Sequence, residues 1–129
     1  MKNVLALVAT LMISGMAAAQ STAIEGNWGT QMSQNGISFV MTFTINHDSV
    51  TLTNVCTLNG KSVTAHVTVP ASYDDSTLTI MAPGQDEESS NGVNCNVSAQ
   101  ADSMNYSIQG NLLTFTHEGS DQSFVLTRK

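Results

Sequence analysis

Apolar and polar residues alternate with a period of two through most of this chain. The pattern is cleanest between positions 37 and 46. Ile37, Phe39, Met41, Phe43 and Ile45 share one parity, and Ser38, Val40, Thr42, Thr44 and Asn46 share the other. Successive side chains of a β-strand point to opposite faces, so this stretch predicts a half-buried strand with the first set inside. His47-Asp48 then turns the chain. Val50, Leu52, Cys56 and Leu58 form the next inner row, interrupted by Asn54, with Thr51, Thr53 and Thr57 outside. Asn59-Gly60 is a strong hairpin signal, because a type I′ turn needs left-handed backbone at both central residues. Val63, Ala65, Val67 and Val69 make a third inner row that ends at Pro70.

After a turn at Asp74-Asp75, Leu78 and Ile80 predict a short strand that stops at Pro83-Gly84. Gly84 to Gly92 has no alternation and carries Asp86-Glu87-Glu88, so it predicts a solvated loop, with a lid or a contact for a basic partner as its functional alternative. Val93, Cys95, Val97 and Ala99 resume the pattern. Asp102 turns the chain, Met104, Tyr106 and Ile108 follow, and Gly110-Asn111 leads into Leu113 and Phe115. Glu118-Gly119 precedes Phe124, Leu126 and Arg128. With the segment around Trp28 this makes about nine strands, rich in the Thr and Val that suit a pleated surface. No helical periodicity is present after the first nineteen positions. Short links force sequential antiparallel pairing, and they leave no room for the long crossovers of a sandwich. The expected fold is all-β, an up-and-down antiparallel meander barrel of about 8–9 strands, whose closure removes exposed edges.

The first nineteen residues do not fit this pattern. Lys2, an apolar run from Val4 to Ile13 and the small residues Ala17-Ala18-Ala19 read as a bacterial secretory signal cut after Ala19. A single domain over 20–129 is then expected, exported to the periplasm or beyond. No cysteine precedes Cys56, so no lipid anchor forms at the cut. No later apolar run approaches the roughly 20 residues of a spanning helix, which predicts a soluble protein without a membrane anchor. Lys61, Arg128 and Lys129 are the only bases after the leader, against ten acidic residues in the chain. Nucleic acid needs a basic face, so it is excluded as a partner, whereas a basic protein partner suits the acidic balance.

Trp28 is the sole tryptophan, within Gly26-Asn27-Trp28, and Arg128 shares the parity of Phe124 and Leu126. First and last strands of a closed meander are neighbours, so the guanidinium can lie over the indole, a contact of roughly 0.5–2 kcal/mol. On these residues, and on the closing stretch from Tyr106 to Phe115 and from Phe124 to Arg128, the chain resembles the short bacterial lipocalin-like domains of the calycin group. That resemblance implies a β-barrel binding module for a small hydrophobic ligand. The chain is shorter than a full lipocalin and shows no helix before its last strand.

Cys56 and Cys95, both of inner parity, predict one disulfide in an oxidising compartment, tying non-sequential strands at one barrel end. An eight-stranded barrel holds either filling side chains or one small ligand. Phe39, Met41, Phe43, Met104, Tyr106 and Phe115 are the candidate ligand contacts, with the Tyr106 hydroxyl as polar handle. His47, His66 and His117 show no metal spacing and read as surface residues. No catalytic signature is present, so neither enzymatic activity nor a cofactor is expected. The competing reading is a periplasmic interaction module, in outline similar to exported inhibitors of lysozyme, a basic hydrolase.

Overall fold

The computed structural model describes residues 22–117, 119 and 122–129. The expected leader at 1–19, and Glu118 of the last expected turn, lie outside these. Ten strands follow in chain order: β1 (Gly26–Gln34), β2 (Ile37–Ile45), β3 (Ser49–Leu58), β4 (Lys61–Tyr73), β5 (Thr77–Ile80), β6 (Gly84–Ser90), β7 (Val93–Ala99), β8 (Asp102–Gln109), β9 (Leu112–His117) and β10 (Ser123–Arg128). Eight of them close an all-antiparallel barrel in the order β1-β10-β9-β8-β5-β4-β3-β2, while β6 and β7 form a sheet of their own.

The inner rows of β2, β3 and β4 lie where alternation puts them. Phe43 stands opposite Leu52 and Phe39 opposite Cys56. Cys56 in turn faces Val63, and Val50 faces Val69. Three Asn-Gly dipeptides make the tight turns, with φ of 54°, 52° and 54° at Asn35, Asn59 and Asn91.

The simple meander needs correcting. Gly84 to Gly92 is not a loop. Its first seven residues are β6, paired along their whole length with β7, from Gly84 opposite Ala99 to Ser90 opposite Val93. Asn91-Gly92 closes this hairpin, which leaves the barrel wall so that β5 pairs with β8 instead. The hairpin packs across β3 and β4, and it covers Ala65 and Cys56 from inside. Gly84 approaches so closely that a β-carbon there would lie 2.8 Å from methyls of Val67 and Val69. Nor does Pro70 end β4. It sits where β4 changes partner, pairing with β3 up to Pro70 and with β5 from Ala71. A residue without an N–H is tolerated at such a handover, and its carbonyl still accepts from the amide of Met81 at 2.9 Å.

Closure is also narrower than the expectation that it would remove strand edges. β1 and β10 pair only at Trp28 with Arg128 and Gly29 with Thr127. Beyond Gly29 the rest of β1 pairs with β2 alone, and the start of β10 with β9 alone. Phe43, Phe115 and Phe124 meet where the two strands part, with centroids 5.2 Å apart for Phe115 and Phe124. Met32, of inner parity on β1, is left 59% exposed.

Candidate ligand-binding pocket

One end of the barrel is sealed. Ile24 and Trp28 are fully buried there. The indole N–H donates to the carbonyl of Ile24 at 2.8 Å, and the Arg128 guanidinium carbon lies 4.0 Å from the ring centroid. Arg128 also donates from Nη2 to the Ala23 carbonyl at 2.8 Å and from Nη1 to that of Glu25 at 3.4 Å. Gly26 permits this. Its φ is +126°, and a β-carbon would lie 3.2 Å from Arg128 Nη1.

The same end holds both tyrosines. The Tyr73 hydroxyl donates to the Glu25 carboxylate, which, with burial and the charge of Glu25, pushes its pKa up to about 12. The Tyr106 hydroxyl donates to the backbone carbonyl of Asp74. Burial, then the nearby charges of Asp75 and Asp74, raise its pKa as well. The protonated phenols are favoured by folding, so their contribution is whole below the ordinary tyrosine value of about 10 and is lost as pH climbs above it. An ultraviolet titration of the folded protein should therefore show both phenols ionising later than an ordinary tyrosine, with the Tyr73 step near 12, and Glu25→Gln should bring the Tyr73 step down. A normal midpoint for both rings would contradict these contacts.

The other end is open and holds a cavity of about 200 Å³. Its walls are apolar: Phe43 from β2, Leu52 from β3, Ile80 from β5, Met104 from β8 and Phe124 from β10. Its polar rim is Gln100, Asp102 and His117, with Ser98 and Ala99 at the base of the hairpin. His117 Nδ1 and Asp102 Oδ2 are 2.9 Å apart, and both side chains are about half exposed. The second Asp102 oxygen accepts from the amide of Ser103 at 2.8 Å, which fixes the carboxylate.

Of the six aromatic and methionine candidates, Phe43 and Met104 line this cavity. Phe115 is fully buried behind them, with its centroid 6.3 Å from that of Phe43. Phe39 and Met41 lie further along the inner row of β2, opposite Cys56 and Asn54. Tyr106 is turned to the sealed end and its hydroxyl is taken by Asp74, so it is no handle in this cavity. Asp102 and His117 were read only as turn and surface residues. Parity is the signal that finds them: Asp102 extends the row of Met104 and Tyr106, and His117 the row of Leu113 and Phe115.

The hairpin borders the cavity and is fixed by three ties. Cys56 and Cys95 form a disulfide with a Cα–Cα distance of 5.7 Å. Asn54 Nδ2 donates to the Asn96 carbonyl at 3.0 Å, and the amide of His66 donates to Asp86 Oδ2 at 3.0 Å. The bridge thus joins β3 to the inserted hairpin rather than one barrel strand to another, because β7 lies inside the wall. Asn54, which interrupts an apolar row, is buried beneath β7, and its Oδ1 has no hydrogen-bond partner among the described residues. No group of three or more His, Cys, Asp or Glu gathers as a metal site among the described residues. Compared with known proteins, the chain matches no family model, no curated protein and no solved structure.

Proposed function

We propose that this barrel binds one small, mostly apolar molecule in the cavity at its open end. The observation that carries this reading is an apolar cavity of about 200 Å³ with a short polar rim, the arrangement by which pockets combine affinity with orientation. The lipocalin-like features support it. A Gly-x-Trp strand and a stacked arginine seal one end, and the mouth lies at the other. On these grounds we place the chain near the short bacterial lipocalin-like domains of the calycin group. The leader-like start and the disulfide support export to an oxidising compartment.

Native mass spectrometry of protein purified without denaturation, together with titration of a hydrophobic fluorophore, tests the reading. Ala99→Trp puts an indole into the cavity from the base of β7. It is expected to weaken fluorophore binding by at least about tenfold, or about 1.4 kcal/mol, with little change in melting temperature. Unchanged affinity in a folded variant would move the site elsewhere.

A second reading is an interaction module for a basic protein, such as a lysozyme-like hydrolase. It is favoured by Glu87 and Glu88, both exposed on β6. Lytic activity unchanged at excess protein would remove it.

A further inference from the structure

We propose that the occupant of the cavity is a small arylalkylamine, with a single ring among the phenylalanines and a protonated amine at the rim against Asp102. This deepens the ligand-binding reading and rests on it.

Size sets the first limit. An engineered apolar cavity of about 150 Å³ takes up benzene. The cavity here, about 200 Å³, therefore has room for one six-membered ring and a short arm. Its wall suits such a ring. Phe43 and Phe124 both line it, with centroids 6.1 Å apart, and Phe115 stands 5.2 Å behind Phe124. Aromatic pairs favour separations of about 4.5–7 Å, so a further ring extends the cluster.

Charge sets the second limit. His117 Nδ1 lies 2.9 Å from Asp102 Oδ2, so a neutral imidazole there donates from Nδ1 and leaves Nε2 as an acceptor. With the ring neutral, the pair carries one negative charge. They offer acceptors and no spare cation. Among the described residues no lysine or arginine lines the cavity. Lys61 starts β4 at the tip of the β3–β4 turn, and Arg128 and Lys129 are at the sealed end. Asp86 and Glu87 of the hairpin line a neighbouring hollow that shares Ser98 with the cavity. A carboxylate or phosphate head would meet Asp102 with no counter-charge, while an ammonium donates to it directly.

The test is calorimetric titration at about pH 8 with phenethylamine, phenethyl alcohol and phenylpropionate at low ionic strength. The amine is expected to bind at least about tenfold tighter than the carboxylate, with the alcohol between them, and to displace a bound hydrophobic fluorophore. Asp102→Asn keeps the shape and the acceptor for Ser103 but removes the charge. It should bring the amine-to-carboxylate ratio to within about threefold, in a variant whose circular dichroism shows it folded. If the three compounds bind equally, or none binds while the fluorophore does, the amine assignment is overturned and the pocket stands. If the fluorophore also fails to bind, both fall. An unchanged ratio in the asparagine variant removes Asp102 as the determinant and overturns the proposal.

Discussion

Replacing both Cys56 and Cys95 by alanine is expected to destabilise the protein by about 3–4 kcal/mol and to lower its melting temperature by on the order of 15 °C. The bridge spans 39 residues, and chain entropy for a loop of that length gives about 4 kcal/mol. What is lost is specific. The bridge clamps the hairpin β6–β7 against the inner face of β3, and side-chain hydrogen bonds from Asn54 and to Asp86 assist it. Hydrogen exchange should therefore rise first over Gly84–Ser90 and Val93–Ala99, while β1, β2 and β10 stay protected. The hairpin base forms part of the cavity, so fluorophore affinity should fall along with it. Equal melting of oxidised and reduced protein, or exchange that rises uniformly around the barrel, would contradict this.

Trp28→Ala should cost about 3–5 kcal/mol, the range for emptying a fully buried large aromatic site. The ring fills the sealed end, donates to Ile24 and carries the Arg128 guanidinium on its face. Arg128→Ala should cost less, about 1–3 kcal/mol, since it removes the stacked cation and its packed stem but leaves the indole in place. Arg128→Lys should recover only part, because an ammonium does not stack as a plane. Chemical denaturation measures all three. Emission from Trp28, the only tryptophan, must shift in Arg128→Ala, and an unchanged spectrum would mean that the contact does not exist in solution.

The barrel was legible in the sequence wherever each strand has its neighbour in the chain as its partner. Ile37 to Ile45 and Val50 to Leu58 alternate cleanly because each buries one face and pairs locally. β6 was not legible. Its residues Gly-Gln-Asp-Glu-Glu-Ser-Ser have no apolar row, since it approaches β4 through a bare glycine and holds on by Asp86. Asn91-Gly92 was the available signal, the same dipeptide that announces the β3–β4 turn. The pairing of β5 with β8 skips a whole hairpin, and nothing local encodes it. The cysteine pair could be read as a bridge, but not what it ties. The rim groups Asp102 and His117 were hidden by their turn chemistry, although both keep inner parity. Cavity volume depends on how Phe43, Phe115 and Phe124 settle against one another, which no period reveals.

The narrow seam between first and last strands bears on the order of folding. Most barrel pairings join strands adjacent in the chain, and the one that skips the hairpin, β5 with β8, still joins residues no more than 28 positions apart, Thr77 and Asn105 being the widest pair. The seam joins Trp28 to Arg128, and the arginine reaches the carbonyl of Ala23, 105 residues away. Nearly the whole chain must be ordered before that contact returns any free energy, so its entropic cost falls at the end of assembly. The local hairpins are therefore expected to form before the arginine settles on the indole, and the wall to part first between β1 and β10 while the disulfide still holds the hairpin to β3. Native-state hydrogen exchange that opens β1 and β10 last would contradict this order.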